Sequence, residues 1–194
     1  MAIKLVSASD VRVYLDVSTT NIDTLLDHLI EQVSADIESY CDRSFKEQSS
    51  TEYPVAGGKR LHVERYPIDT GSTITLKHDG NRDFGSGTTV SSDKYDVISE
   101  MGYLLVRGKN WVDLERTYQI VYTGGYTETA GVLGVPDDLK RATIMQVAYL
   151  FDRRKNIGGT SLSGGEGSMA FDDPYNFLVP VKRILAKYRR YGHV

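Results

Sequence analysis

One amphipathic stretch, Ile22 to Phe45, constrains this chain more than any other. Ile22, Leu25, Leu26, Leu29, Ile30, Val33, Ile37, Tyr40 and Cys41 recur at steps of three and four, the spacing of a single apolar stripe on an α-helix. Asp27, Glu31, Gln32, Asp36 and Glu38 fall between them, so the opposite face is wet and acidic. Asn21 stands where a cap belongs, and Asp23 adds negative charge to the first turn. Roughly 22 residues at 1.5 Å of rise make a rod of about 33 Å, the width of a small domain. A helix of that length with one greasy stripe needs apolar partners. The chain supplies two, both far downstream, so the fold has to bring its two ends together.

The first partner starts at Pro136, with Asp137 and Asp138 in its opening turn, and carries Leu139, Ala142, Met145, Val147, Ala148, Tyr149, Leu150 and Phe151 on a wide apolar face. Arg153, Arg154 and Lys155 close it with charge suited to a helix C-terminus. The second runs from Leu178-Val179-Pro180 to about Arg190. Val181, Ile184, Leu185 and Tyr188 point inward, and Lys182, Arg183, Lys187, Arg189 and Arg190 outward. A short helix near Ser7–Leu15 precedes the long one, capped by Ser7 or Ser9, with Val11, Tyr14 and Leu15 on one face.

Between these helices the period changes to two. Thr51–Val55 and Arg60–Val63 flank Ala56-Gly57-Gly58-Lys59 as a hairpin; Ser72–Lys77, Lys94–Ile98, Gly102–Val106 and Thr117–Thr123 complete about six short strands. Close spacing with turn residues between them argues for a small antiparallel sheet or barrel rather than βαβ units. The predicted architecture is α+β: a helical bundle, in which a long N-terminal helix packs with two C-terminal helices, carrying an inserted small antiparallel β module. The expected bounds are 1–47 and 132–194 for the helical core and 48–131 for the β module. Residues 156–173, rich in glycine and serine, read as a mobile loop, because its glycines cost much entropy to fix and little apolar surface offsets it.

Composition narrows the function. The net charge of −3 excludes an all-over basic, DNA-coating surface, and a single cysteine excludes an internal disulfide. With no run of ~18 apolar residues, no membrane span or membrane partner is expected, and the reading is a soluble protein made in the cytoplasm. Thirteen tyrosines against five phenylalanines suit half-buried surfaces such as subunit interfaces. His28, His62, His78 and His193 show no ligand spacing. Asp79-Gly80-Asn81-Arg82-Asp83 starts like a calcium loop but has Phe84 and Val90 where glycine and glutamate belong, so it reads as a turn. The Gly158–Gly167 stretch follows a helix and lacks Gly-Lys-Ser/Thr, so it is no phosphate loop. Cys41 reads as core, or as a reactive thiol. No acid–base or nucleophile pairing emerges, so no enzyme, catalytic residue, metal site or cofactor is expected.

The ordered set of segments resembles a known family. A short capped helix and a long helix ending Tyr40-Cys41-Asp42-Arg43-Ser44-Phe45 precede a β segment closing on Ile120–Tyr126; then come the helix start Val135–Ala142, a basic Arg153-Arg154 end, and a terminal Leu185-Ala186-Lys187-Tyr188-Arg189 helix. This is similar to the head–tail connector (adaptor) proteins of long-tailed bacteriophages, in their larger form with a β insertion. The resemblance covers nearly the whole chain, 1–194, as a single connector domain. It implies a virion structural protein at the head–tail interface, made in the host cytoplasm: a ring, commonly a dodecamer, between the portal protein and a stopper or tail-completion protein, through which double-stranded DNA passes without specific binding.

The charged clusters then take assembly roles as expectations. Lys182, Arg183, Ile184, Lys187, Tyr188, Arg189 and Arg190 are the portal-docking candidates. Arg153, Arg154 and Lys155 are candidate assembly contacts, and Asp27, Glu31 and Glu38 a candidate acidic face toward the lumen. The plainer reading of each is a solvated helix face. A second class of function stays open, a non-enzymatic binding module whose β insert recognises a protein or carbohydrate partner.

Overall fold

A computed structural model describes residues 3–107, 116–128, 133–154, 161–164, 167–170 and 176–190. The chain divides into two compact units: a helical one from Met1–Arg43 and Val135–Val194, and a β one from Ser44–Gly134.

In the helical unit, α1 (Ala8–Tyr14) opens on a reciprocal cap. Ser7 Oγ accepts from the Asp10 N–H at 3.2 Å, and the Asp10 carboxylate accepts from the Ser7 N–H at 3.0 Å. α2 (Asp23–Cys41) is the long helix. Ile22, not Asn21, occupies the cap position and makes no side-chain cap bond. Arg12 Nε instead meets Asp23 at 2.8 Å and ties the first turn of α2 to α1. The helix stops short of Arg43-Ser44 because Asp42 turns left-handed at φ 51°, a conformation aspartate tolerates better than most residues. α3 (Asp137–Arg153) follows Pro136, whose fixed φ suits a helix entrance. α4 (Val179–Leu185) is shorter than expected and gives way to a single 3-10 turn, Ala186–Tyr188, before Arg190.

The stripe of α2 is buried as predicted at Leu26, Ile30, Val33, Ile37 and Cys41, where α2 packs on α3; Leu139, Ala142, Val147 and Phe151 of α3 and Val181 and Leu185 of α4, which packs on α3, are buried as well. Two features depart from the pattern. Ile3, Leu5 and Val6, ahead of α1, are buried too, the Leu5 N–H donating to Ser34 Oγ at 3.3 Å. Gln146, buried on α3, accepts the Leu178 N–H at 3.1 Å and so fixes the entry to α4. Tyr14, expected to face inward, lies largely in solvent while Val11 is fully buried.

The β unit holds β1 (Gln48–Glu52), β2 (Ala56–Gly57), β3 (Arg60–His62), β4 (Thr75–His78), β5 (Tyr95–Ile98), β6 (Tyr103–Val106) and β7 (Tyr118–Gly124). They form two antiparallel sheets, β1-β7-β4 and β2-β3-β6-β5. The hairpin read from sequence is smaller than expected. Only β2 pairs with β3 across the turn, while β1 crosses to the other sheet and pairs with β7, Ser50 opposite Tyr122. Pro54 sits between β1 and β2 without an N–H to donate, which suits a strand break there. β7 alternates cleanly, sending Tyr118, Ile120 and Tyr122 into a core with Leu61, Val63, Ile68, Leu76, Tyr95 and Leu104. Its end is steric as well as polar: a Cβ on Gly124 would lie 2.6 Å from the Arg65 carbonyl oxygen. Gly125, at φ 114°, has only 2.5 Å to that of Lys46. The Tyr66–Pro67 peptide is cis.

Within the stretch 156–173, β8 (Ser161–Gly164) and β9 (Gly167–Ala170) pair as a two-stranded hairpin, Leu162 opposite Met169. The expectation of irregular chain is corrected at these residues, whose backbones pair in register; the rest of 156–173 lies outside the described residues.

Candidate functional site

The basic C-terminal stretch does not form one wet face. Tyr188 is only 8% exposed, and its hydroxyl donates to Asp138 Oδ1, so its ring is taken up inside the helical unit rather than presented on a wet face. Lys187 pairs with the other oxygen of the same carboxylate. Arg189 lies over the Tyr40 ring at 5.3 Å, and the Arg190 N–H donates to the Cys41 carbonyl at 2.8 Å. The 3-10 turn explains this: it tightens the chain and swings residues 187–190 back onto α2 and the start of α3. Lys182, Arg183 and Ile184 stay at the surface, half-buried or exposed.

The basic end of α3 is likewise not simple solvated charge. Arg153 is 7% exposed and donates to Tyr149 Oη at 2.7 Å, one helical turn back. Arg154 donates to the Phe151 carbonyl and stacks on that ring, its Cζ 3.6 Å from the centroid. Each guanidinium therefore has an aromatic or backbone partner one turn back on α3, so the pair is not simple solvated charge. Lys155 lies outside the described residues.

The acidic face of α2 is partly neutralised. Lys4 Nζ sits 3.0 Å from Asp27 and 3.2 Å from Glu31, and these two carboxylates hold its ammonium above the ordinary lysine range. No sequence pattern signals this bridge, because Lys4 lies 23 and 27 residues from its two partners and outside any helix. Glu38, half-buried, completes the stripe.

Several other groups resolve as structural. Cys41 is fully buried and its thiol donates to the Leu185 carbonyl at 3.9 Å; burial pushes it up to about 11, which rules out a reactive thiol near neutral pH. Asp79 accepts backbone N–H groups from Asn81, Asp83 and Phe84 at 2.9, 3.2 and 2.9 Å, and these bonds lower its carboxyl pKa. That is a turn held by its own carboxylate. His62 and His78 pack on Tyr103 and Tyr118 with ring centroids 5.3 and 4.6 Å apart, and His28 is exposed; His193 lies outside the described residues.

Inside the β unit, the Tyr122 hydroxyl donates to Glu52 Oε1 at 2.6 Å and accepts the Arg65 N–H at 2.9 Å, while Glu52 Oε2 takes the Glu64 N–H at 2.8 Å. Burial raises the Glu52 carboxyl; burial and the hydrogen bond to Glu52 raise the Tyr122 phenol. The pair holds β1, β7 and the Glu64–Arg65 turn together.

Three surface features remain. A cleft of about 380 Å³ between α2 and α3 is lined by Gln32, Asp36, Ser39, Tyr40, Gln146 and Phe177 among others. Partial desolvation raises the Asp36 carboxyl there, and among the described residues no histidine, lysine or cysteine lines the cleft beside it. A groove of similar volume between α3 and α4 has Met145, Pro180 and Ile184 as its apolar lining and Arg141 and Arg183 as its charges. On the β unit, Tyr53 meets Phe84 at 5.5 Å between centroids, and Arg116 lies over the Tyr53 ring at 5.2 Å. Phe84 and Arg116 both hold positive φ, 50° and 55°, which no side-chain pattern in the sequence signals. Arg141 too escaped notice, because nothing local links it to Arg183.

Set against known proteins, residues 4–191 match the family model described as HCP, head completion protein. The fold is similar to a chain from a structure described as the neck of an empty GTA particle computed with C6 symmetry. That match has a TM-score of 0.56 at 15% identity and covers 98% of this chain and 92% of that one. A chain from the neck of a native GTA particle computed with C12 symmetry gives 0.52 at 14% identity, covering 96% and 90%. No curated protein matches in sequence.

Proposed function

The chain belongs to the head completion protein family, a phage head–tail connector family, and from that premise we propose that it assembles as a ring adaptor between the portal of a phage head and the stopper or tail component below it, leaving a conduit for DNA. Its coarse role is that of a structural protein of the head–neck region. The observation that carries the finer reading is the extent of the family match, residues 4–191, which runs through the helical unit, the whole β unit and back. A match confined to one unit would support a shared module only. The neck structures with a similar fold are described with six- and twelve-fold symmetry, and a heterologous contact that closes is the arrangement such rings use.

In this reading the role is non-enzymatic. Lys182 and Arg189 carry the docking charge toward the portal. The stripe Asp27, Glu31 and Glu38 faces the conduit, where carboxylates disfavour tight phosphate contacts and Lys4 moderates the repulsion. The test is reconstitution. Purified full-length protein is added to DNA-filled heads that lack it, and the vertex is imaged by electron microscopy. A symmetric ring at the portal, with DNA retained, is the expected outcome; heads that bind no protein, or bind it elsewhere, overturn the proposal.

A second reading has its own support. The Tyr53–Phe84–Arg116 cluster combines aromatic rings and an arginine at the surface of the β unit, the side-chain types enriched at protein hot spots. If the β unit binds a tail-side protein through it, Tyr53→Ala lowers tail attachment while ring formation on the head persists. Unchanged attachment removes this reading.

A further inference from the structure

Among the described residues, the helical unit displays two apolar patches that no other segment covers, and their rims carry opposite charge. The first is the end of α1. Val13 is 82% exposed and Tyr14 58% exposed, although both are apolar or largely so, and Asp16 is exposed beside them with φ 54°. Arg12, the neighbouring cation, is occupied by Asp23, so the free charge of this tip is negative. The second is the α3–α4 groove. Met145, Pro180 and Ile184 give it apolar walls, and Val179 lies just before Pro180 at 54% exposure. Arg141 and Arg183 flank it, and among the described residues neither has a hydrogen-bond or ion-pair partner. The groove measures about 380 Å³, room for an aromatic side chain.

Two different patches, an apolar acidic tip and an apolar groove flanked by arginines, each without a partner among the described residues, suit a head-to-tail contact between identical subunits. An isologous dimer could use the same two patches only reciprocally, each copy giving its tip and its groove to one partner, and would stop at two subunits; a head-to-tail contact uses the tip toward one neighbour and the groove toward the other, and can close a ring. We propose that the Val13–Tyr14–Asp16 tip of one copy docks in the Arg141–Met145–Ile184–Arg183 groove of the next, Tyr14 filling the groove and Asp16 meeting the arginines. The inference rests on the ring reading above and names its contact. It also removes Arg183 and Ile184 from the surface available to the portal.

Full-length chains carrying Tyr14→Cys, Ile184→Cys or both are assembled on heads, oxidised, denatured and run without reductant. Native Cys41 is buried and stays out of the reaction. The expected result is a ladder of covalent multimers from the double variant, covalent dimers from a mixture of the two single variants, and monomers from either single variant alone. A ring visible by microscopy with no ladder overturns this contact and leaves the ring intact. Absence of any ring in the wild-type chain overturns the ring reading and this contact with it. Should the cysteines themselves disturb assembly, charge reversal supplies the second measurement. Asp16→Lys and Arg183→Glu each lower assembly about tenfold, a change of about 1.4 kcal/mol, and combining them restores most of it. Two single variants that assemble normally, with native circular dichroism, overturn the proposal.

Discussion

The helical and β units solve the same problem, burying a core, by opposite routes. The helical unit is assembled from the two ends of the chain, and its interior admits polar side chains: Ser34, Thr143 and Gln146 are buried, each bonded to a backbone group. The β unit is one continuous stretch with an apolar and tyrosine core, and its polar fixture is the Tyr122–Glu52 pair at one edge. The difference follows from connectivity. Helices satisfy their own backbones, so segments brought in from a distance need separate polar anchors to fix position; strands fix one another through the ladder. A unit closed by its chain ends should depend on those anchors more than one closed by its own sheets.

The largest test of this contrast is core truncation. Ile120→Ala in the β unit and Leu139→Ala in the helical unit each remove a fully buried side chain and should cost about 2–5 kcal/mol. If the units unfold separately, calorimetry shows two transitions and each substitution lowers one. A single transition lowered equally by both would mean that the two routes make one cooperative structure. Thiol labelling of Cys41, buried under Leu185, reports the helical unit directly.

Next comes the β unit's polar fixture. Tyr122→Phe leaves a half-buried carboxylate oxygen and the Arg65 N–H without their partner, at a cost of about 1 kcal/mol or somewhat more. Glu52 adds a pH signature. Its folded pKa is raised, chiefly by burial, so the folded state binds the proton more tightly than the unfolded chain. Its contribution is full below the unfolded carboxylate range and is lost as pH rises through the raised value. Glu52→Gln should abolish this loss, so the melting temperatures of variant and wild type diverge as pH increases from about 4 toward 7. Parallel profiles would show that Glu52 is solvated.

Smaller effects belong to the helical anchors. Ser34→Ala strands the Leu5 N–H and should cost about 1 kcal/mol, read as faster amide exchange in residues 3–6. An unchanged exchange rate would show that apolar packing of Ile3 and Leu5 suffices. Lys187→Ala, at an exposed ion pair with Asp138, should change stability by less than about 1 kcal/mol; a larger loss would make that pair an anchor of the same rank as Ser34.

Much of this was legible in advance, and the reason differs by element. The α2 stripe, the Pro136 entrance to α3 and the alternation of β7 are local patterns, because helix and strand periods place side chains on faces before any partner is known. The order of helices around an inserted β module followed from them. The charged clusters were legible only as composition. Nothing within the sequence of Lys187-Tyr188-Arg189-Arg190 says that a 3-10 turn folds it onto Asp138 and Tyr40, or that Arg153 is buried against Tyr149.

The sequence by itself determined the long helices, the strand-rich middle and the buried faces of α2, α3 and β7, since those depend on spacing along one segment. Only the tertiary structure decided that β1 leaves its expected hairpin for β7 and that Lys4 spans Asp27 and Glu31. It alone brought Arg141 and Arg183 to one groove. These are pairings between distant segments. Their energies depend on which surfaces meet in space, and a charge has no assigned partner until the chain has closed.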